Sequence, residues 1–259
     1  MKKKNKIPFI LALTILFALA CNESDKKGES TETTSDTTTT TTETVQPVQQ
    51  DATPDAIKAA PDLYKVLSDS AGIRIVEAMY KPGDSSALHS HADYAVYVLS
   101  GGMATFYGKD GTKMEGEQKV GGANVRPAEV HSVKNTGKTP VKVILVEVSR
   151  PAQTTSADAA MDAAKVSPGL YKVKADSLGI RVLEVNYKPG QTSPMHSHSD
   201  AALYVLDDGK GEFTGKDGAK NVIDFKKGMT MVRPAEAHSV KNIGKKNLKA
   251  ILVEVNRAK

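Results

Sequence analysis

The chain has 259 residues and a formal net charge of +5, with 5% aromatic residues and no tryptophan. Beyond the basic stretch at its start, the chain contains no basic block, and this composition excludes a nucleic-acid-binding function. The single cysteine, Cys21, rules out both an internal disulfide framework and a cluster of cysteine metal ligands.

Residues 1–20 are predicted to be a secretory signal peptide. The basic stretch MKKKNK precedes the apolar run IPFILALTILFALA, which is too short to span a bilayer comfortably. The sequence FALAC resembles the lipobox of bacterial lipoproteins, although Ala18 stands where leucine is usual. This resemblance implies that Cys21 is acylated and anchors the protein to a membrane; the alternative is a stray cysteine after an ordinary signal. Asn22 is compatible with sorting to the outer membrane of a Gram-negative bacterium, so we expect a lipid-anchored protein of the cell envelope.

Residues 21–58 are predicted to form a disordered tether. The stretch NESDKKGESTETTSDTTTTTTETVQPVQQ is rich in threonine, serine and glutamate and holds almost nothing that could be buried. We expect this segment to hold the folded part of the protein away from the membrane.

An internal repeat defines the folded part. LYKVLSDSAGIRIVEAMYKPG, which begins at Leu63, returns as LYKVKADSLGIRVLEVNYKPG from Leu170, and RPAEVHSVKN returns as RPAEAHSVKN at the same offset. One copy is near the lower size limit for a stable core, so we expect the two copies to pack on each other. The predicted boundaries are 59–150 for the first domain, 151–168 for a small-residue linker and 169–259 for the second domain.

Each copy is predicted to be all-β. IRIVEAMY alternates apolar and polar residues, VKVILVEV has the β-branched composition of a central strand, and KPGD, GKDG and NTGKTP provide turns. The one candidate for a helix is SADAAMDAAK in the linker. Seven or more short strands per copy indicate a small barrel or sandwich.

All six histidines lie in the repeat, where an H-x-H pair is followed 40 residues after its second histidine by a third. They are His89, His91 and His131 in the first copy and His196, His198 and His238 in the second. Alternate residues of a strand project from one face, so H-x-H can place two imidazoles side by side for a third to complete a metal site. We expect one divalent metal per domain, with Fe, Zn, Mn, Ni and Cu all left open. For one pair taken alone, two surface histidines at a strand start are the alternative.

These motifs resemble those of the cupin superfamily. PG-x5-H-x-H followed by YVLSGG matches its first motif, which supplies two histidines and a glutamate, and RPAEVHSVKN matches its second, which supplies the third histidine. In the family an asparagine follows that histidine by four residues, as Asn135 and Asn242 do here. The resemblance covers roughly residues 63–150 and 170–257. It implies a bicupin, with two tandem double-stranded β-helix (jelly-roll) barrels.

Both copies depart from the family pattern at the glutamate. Its place on the ligand face would fall at Ala95 and Ala202, so the resemblance implies a three-histidine site with open coordination positions. Counting on from the histidines, Asp93 and Asp200 share that face and are candidate ligands.

Two further repeated pairs are candidates for binding a small-molecule ligand. Tyr97 and Tyr204 fall on the same predicted face, with filling of the barrel as the alternative. Arg126 and Arg233 precede the third histidines and could clamp a carboxylate, with surface ion pairs as the alternative. Arg74, which also recurs, is interpreted as part of a surface ion pair or a contact at the barrel rim.

Three functional hypotheses follow. Three-histidine cupins include thiol dioxygenases and related iron enzymes, so the resemblance implies a metal-dependent, dioxygenase-like oxidoreductase acting on a small polar substrate. A binding protein of the cell envelope that captures a small molecule or the metal is favoured slightly, because the glutamates are missing and the motifs hold few candidate bases. The third hypothesis is a structural cupin with vestigial histidines.

Overall fold

The computed structural model describes residues 53–151 and 160–258. The predicted signal peptide at residues 1–20, the lipidation site Cys21 and most of the predicted tether lie outside these residues, as does part of the predicted linker. Those expectations therefore remain predictions. Within the described ranges, no helix is long and apolar enough to cross a membrane.

The described part of the first repeat, domain 1, begins with a short helix and continues as nine strands. They are α1 (Ala56–Ala59), β1 (Tyr64–Ser70), β2 (Ile73–Tyr80), β3 (His89–His91), β4 (Asp93–Ser100), β5 (Gly102–Gly108), β6 (Lys113–Gln118), β7 (Ala123–Arg126), β8 (Glu129–Asn135) and β9 (Val141–Val148).

The second repeat, domain 2, reproduces this order over its described residues. Its elements are α2 (Ala163–Val166), β10 (Tyr171–Ser177), β11 (Ile180–Tyr187), β12 (His196–His198), β13 (Asp200–Val205), β14 (Gly209–Gly215), β15 (Lys220–Phe225), β16 (Thr230–Arg233), β17 (Glu236–Asn242) and β18 (Leu248–Val255).

Each domain is a sandwich of two antiparallel sheets. The five-stranded sheet has the order β1-β2-β9-β4-β7 in domain 1 and β10-β11-β18-β13-β16 in domain 2. The four-stranded sheet has the order β3-β8-β5-β6 in domain 1 and β12-β17-β14-β15 in domain 2. The predicted all-β fold with two tandem jelly-roll barrels is confirmed.

The two short helices extend the folded domains beyond the predicted boundaries. In α1, Asp55 is the N-cap and accepts a hydrogen bond from the backbone N–H of Ile57, while Ala56 is buried. Asp162 and Ala163 play the same parts in α2. The tether therefore ends before residue 58, because an aspartate cap and a buried alanine fix this turn against the barrel.

One apolar cluster joins the two domains. It is built from the outer faces of both five-stranded sheets, so residues of β2, β4 and β9 meet residues of β11, β13 and β18. Its buried members are Ile73, Ile75, Ala95, Tyr97, Ile144, Val146, Val148, Ile180, Val182, Ala202, Tyr204, Ile251, Val253 and Val255. Full burial of each aliphatic side chain contributes about 1.5–3 kcal/mol, so this shared core binds the two barrels strongly.

Two crossed ion pairs flank the shared core. Arg150, which follows β9, lies 2.9 Å from Asp200 of domain 2, and Arg257, which follows β18, lies 2.7 Å from Asp93 of domain 1. The Nε atom of Arg150 also donates to the carbonyl oxygen of Ala71, which has a positive φ of 52° in the β1–β2 turn. Each arginine therefore fastens a turn of its own domain while it contacts the other domain.

Candidate metal centre

Strands β3 and β8 bring the three histidines of domain 1 together. His89 lies directly opposite His131 in the antiparallel β3–β8 ladder, and His91 follows His89 on the same face of β3. Ring centroids are 4.8 Å apart for His89 and His91, 4.9 Å for His89 and His131, and 5.2 Å for His91 and His131. All three side chains are buried, and their candidate ligand atoms lie within 4.8 Å of one another.

Domain 2 reproduces this group from β12 and β17. His196 lies opposite His238, and the corresponding ring centroids are 4.9 Å apart for His196 and His198, 4.8 Å for His196 and His238, and 5.4 Å for His198 and His238. These three side chains are also buried with ligand atoms within 4.8 Å. The described residues thus hold two groups with the composition of a three-histidine metal site.

An acceptor outside the group faces the Nδ1 atom of each histidine in domain 1. His89 Nδ1 donates to the carbonyl oxygen of Ala87 at 2.8 Å, and His91 Nδ1 donates to Oε1 of Glu147 at 2.6 Å. His131 Nδ1 lies 3.3 Å from Oε1 of Glu129. The acceptors on Nδ1 of His89 and His91 fix the tautomer in which Nε2 carries the lone pair, the form that a metal requires, whereas His131 Nδ1 makes no hydrogen bond.

The same partners recur in domain 2. His196 Nδ1 donates to the carbonyl oxygen of Pro194 at 2.8 Å and His198 Nδ1 to Oε1 of Glu254 at 2.6 Å, while His238 Nδ1 lies 3.2 Å from Glu236. Burial lowers the pKa of His89 to about 4, and burial lowers that of His196 to about 4 as well. These two imidazoles are therefore neutral at neutral pH, and the residues present fit a divalent metal.

A buried carboxylate on β9 connects the histidines to the start of domain 1. Glu147 is 2% exposed, and it accepts from His91 through Oε1 and from Nε of Arg74 through Oε2 at 2.6 Å. Arg74 in turn pairs with Asp55, the cap of α1. Glu254, Arg181 and Asp162 repeat this chain in domain 2. Arg74 does form ion pairs, but one partner is the buried Glu147, so the arginine continues a hydrogen-bonded chain that orients a histidine.

Two buried tyrosines approach the histidines from β1 and β2. The hydroxyl of Tyr64 lies 3.0 Å from Nε2 of His89 and 2.7 Å from the hydroxyl of Tyr80. Because His89 Nδ1 already donates, Nε2 accepts from Tyr64, and a metal bound at Nε2 would replace this hydrogen bond. Tyr171 and Tyr187 repeat this arrangement at His196, with distances of 2.9 Å and 2.8 Å.

Glutamate and tyrosine partners were missed in the sequence, although signals for them were present. Glu147 is a charged residue inside the otherwise apolar strand VKVILVEV, and it recurs as Glu254. Tyr64 recurs as Tyr171 in the LYKV stretch that begins both copies. A charged residue in a strand that is too apolar to lie at the surface is expected to have a buried partner.

The prediction that Asp93 and Asp200 lie on the ligand face is wrong. Asp93 accepts from the backbone N–H of Ala128 and from Arg257, and Asp200 pairs with Arg150, so both lie at the junction between domains. The phase of alternation does not continue from the histidines, because β3 belongs to the four-stranded sheet and β4 to the five-stranded sheet. The chain changes sheet at the single residue between these strands.

The same change of sheet moves Tyr97 and Tyr204 away from the site. Both belong to the shared core between the domains, as do Ala95 and Ala202 at the positions of the family glutamate. Tyr94 takes the site-facing position instead: its ring centroid lies 4.9 Å from that of His91, and its hydroxyl donates to Glu129. The prediction that Tyr97 and Tyr204 line the site was therefore wrong, because it assigned the wrong face of the strand to the histidines.

Arg126 and Arg233 do line cavities next to the histidines. Arg126 contacts Glu129 through Nε at 2.6 Å and through its terminal nitrogen at 2.7 Å, and Arg233 pairs with Glu236 at 2.7 Å. Burial raises the pKa of Glu236, but the contacts with His238 and Arg233 lower it to about 2, with the contact to His238 as the largest lowering cause. A carboxylate clamp by either arginine stays a prediction, since each already holds a glutamate.

A small cavity adjoins each histidine group. In domain 1 it measures about 70 Å³ and its walls include Tyr64, His91, Tyr94 and Arg126. In domain 2 it measures about 60 Å³ and lies against His198, His238 and Arg233. A ligand in either cavity would touch the histidines and the barrel wall together.

Comparison with known proteins supports the cupin fold. The family model for the Cupin domain matches residues 183–254, within domain 2. The chain is similar to AerE from Microcystis aeruginosa at a TM-score of 0.55 and 16% identity, over 78% of this chain and 97% of that one. It is similar to the oxalate decarboxylase of Lactobacillus farciminis in its formate complex at a TM-score of 0.52 and 14% identity, over 75% of this chain and 81% of that one.

A third likeness is to the oxalate decarboxylase of Bacillus subtilis, a protein with Mn(II) centres. Its TM-score is 0.50 at 14% identity, over 79% of this chain and 72% of that one. No curated protein sequence matches the chain. The chain is a two-domain protein of the cupin fold, a bicupin, as its motifs predicted.

Proposed function

We propose that the protein binds one divalent transition metal in each domain, through His89, His91 and His131 and through their counterparts in domain 2. The observation that carries this proposal is the grouping of three buried histidines in each domain, with their candidate ligand atoms within 4.8 Å of one another. Acceptors on Nδ1 of His89, His91 and their counterparts in domain 2 present Nε2 of these four histidines as the ligand atom. The Mn(II) centres of the oxalate decarboxylase from Bacillus subtilis support a divalent metal. Fe, Zn, Mn, Ni and Cu all accept imidazole ligands, so the metal itself is left to measurement.

A metal held by three histidines supplies a Lewis-acid position inside the barrel with room for a small ligand. The chain's own residues shape that position. Glu147 orients the ring of His91, Tyr64 directs its hydroxyl to the edge of His89, and the cavity of about 70 Å³ limits what can reach them.

We propose capture of a small molecule at the metal, without turnover, as the role of the protein. The glutamates beside the histidines are already engaged: Glu129 by Arg126 and Tyr94, and Glu147 by His91 and Arg74. A carboxylate held in this way is a poor general base, because taking a proton would break its ion pair. This favours binding over catalysis.

The second candidate is a metal-dependent, dioxygenase-like oxidoreductase acting on a small polar substrate. The observation that favours it is the Tyr64 hydroxyl, which lies beside the histidines and continues to Tyr80 as a short hydrogen-bonded chain along which a proton can be held or moved. Oxygen consumption by the iron-loaded protein with candidate substrates separates the two roles.

Metal content tests the binding proposal directly. We expect the protein, purified without a histidine tag or chelator and incubated with metal salts, to contain about two equivalents of one metal. The double variant His89→Ala/His91→Ala and the matched variant His196→Ala/His198→Ala should each retain about one equivalent. If the parent protein stays empty with Fe, Mn, Ni, Cu and Zn salts, the proposal fails and the histidines are vestigial.

We further propose that the protein is exported and anchored through acylated Cys21 in the cell envelope of a Gram-negative bacterium, at the outer membrane. This rests on the sequence MKKKNKIPFILALTILFALAC alone. The variant Cys21→Ser should lose the acyl mass from its N-terminal peptide and move from the membrane fraction to the soluble fraction. An unchanged membrane fraction would contradict lipid anchoring.

A further inference from the structure

The two cavities differ in chemistry although they have nearly the same size. Both lie between the histidines and the inner face of the five-stranded sheet, and their volumes are about 70 Å³ in domain 1 and about 60 Å³ in domain 2. The cavities keep nearly the same volume although some of their wall residues differ. The chemistry of the residues that differ therefore indicates which ligand each cavity accepts.

The domain 1 wall presents hydrogen-bonding groups. Tyr94 points its ring along His91 and its hydroxyl to Glu129, while Gln118 and Asn124 line the same cavity with side-chain amides. Such groups favour a ligand that forms hydrogen bonds with them. They disfavour an apolar ligand, because it would displace water from them without replacing its hydrogen bonds.

The domain 2 wall presents hydrocarbon at the same positions. Ala201 replaces the tyrosine, Phe225 replaces the glutamine and Leu203 replaces a valine. Phe225 is 3% exposed, and its ring centroid lies 6.0 Å from that of Phe213, which also lines the cavity. The space that Tyr94 occupies in domain 1 is thus bordered in domain 2 by a methyl group and two aromatic rings.

We propose that the domain 2 cavity takes the short apolar chain of a ligand whose polar head lies at the histidine group, whereas the domain 1 cavity does not. A cavity of about 60 Å³ exceeds the roughly 10–15 Å³ that a single water needs but is small enough to restrict the ligand to a short chain. A short-chain aliphatic carboxylate is the simplest ligand of this class. The inference rests on the proposed metal sites for the binding of the head group.

The experiment compares butyrate with glycerate, which carries the same carboxylate on a hydroxylated chain. Calorimetric titration of the zinc-loaded protein should give one butyrate per chain, bound more tightly than glycerate at that site. Phe225→Gln, which installs the residue of domain 1, should weaken butyrate binding about tenfold, as expected for loss of an apolar contact of moderate size. Gln118→Asn is the matched control in domain 1 and should leave butyrate binding unchanged.

Ala201→Tyr provides a second and steric test, because it places the tyrosine of domain 1 in the domain 2 cavity. It should abolish butyrate binding, and thermal unfolding of both variants checks that the barrel still folds. The inference is overturned if the parent binds no butyrate, binds two with equal affinity, or prefers glycerate, and equally if neither variant weakens binding.

Elemental analysis of each sample separates this inference from the proposed function. Two zinc equivalents together with butyrate binding that ignores both variants would overturn the inference alone. A parent protein that takes up none of Zn, Fe, Mn, Ni and Cu would overturn the proposed metal sites and, with them, the binding of the head group. If the protein takes up one of the other metals instead of zinc, the same titrations are made with that metal.

Discussion

The histidine groups of the two domains have nearly the same contacts, whereas the cavity walls beside them have diverged. Glu147 and Glu254 each accept from a histidine at 2.6 Å, and both are completed by an arginine on the neighbouring strand. On the adjacent strand, Tyr94 lies opposite Glu147 in domain 1, and Ala201 takes the equivalent position opposite Glu254 in domain 2. The repeat has kept what would hold a metal and changed what would meet a ligand.

This difference shows which positions of a duplicated barrel tolerate substitution and which do not. A histidine group fixed by a buried carboxylate and arginine tolerates little change, because each member leaves another unpaired when it is removed. The wall residue Tyr94 donates to Glu129, but Glu129 is also held by Arg126, as Glu236 is held by Arg233 in domain 2 where alanine replaces the tyrosine. This wall position can therefore change without leaving the glutamate unpaired. Equivalent changes in both domains should therefore have equal effects at the histidines and unequal effects at the wall.

The largest expected effect is at the buried carboxylates. Glu147→Ala should lower the free energy of unfolding by about 3–5 kcal/mol, because it leaves Arg74 and His91 without their acceptor. It should also weaken metal binding about 10–100-fold in domain 1. Denaturant unfolding and metal titration measure the two effects.

Glu254→Ala is the matched variant, and Glu147→Gln is the conservative control that keeps one acceptor. We expect Glu254→Ala to cost the same within error and the glutamine variant to cost less. A large difference between Glu147→Ala and Glu254→Ala would break the equivalence of the two histidine groups.

The crossed ion pairs should give the next largest effect. Arg150→Met removes the partner of Asp200 and the donor to Ala71, and a loss of roughly 2–4 kcal/mol in the free energy of unfolding is expected. Arg257→Met should cost less, because its partner Asp93 is 22% exposed at the side chain against 10% for Asp200. Equal costs would show that exposure of the aspartate does not set the strength of the pair.

A smaller effect is expected at the tyrosines that touch the histidines. Tyr64→Phe removes hydrogen bonds to His89 and Tyr80 and should cost about 1 kcal/mol, with a matching cost for Tyr171→Phe. Thermal unfolding of both variants and of the double variant measures this. Non-additive costs would show that the two sites communicate through the shared core.

The smallest effect is expected at Tyr97. The change Tyr97→Phe keeps the ring in the core between the domains and should cost less than about 1 kcal/mol, with two metal equivalents retained. Loss of metal or of butyrate binding in this variant would indicate that Tyr97 contacts the ligand site, and would contradict the face assigned to it on β4.

The strand pattern was sufficient to predict a small all-β barrel or sandwich, and the repeat was sufficient to predict that it is duplicated. The jelly-roll topology was predicted from the resemblance of the motifs to the cupin superfamily. The side of β4 that faces the site could not be predicted, since the chain changes sheet between His91 and Asp93 and the alternation restarts there. Partners such as Glu147 come from a strand 56 residues away, and the spacing of the histidines does not reveal them. The exchange of Tyr94 for Ala201 was visible in the sequence, but its meaning depended on knowing that this position lines a cavity.

Anomalous diffraction from crystals of the metal-loaded protein, collected at the absorption edge of the bound metal, tests the central claim most directly. The account predicts two peaks per chain, each about 2.0–2.2 Å from the Nε2 atoms of one three-histidine group. Peaks bound elsewhere, or metal reached through Nδ1 with Glu147 and Glu254 displaced, would contradict it.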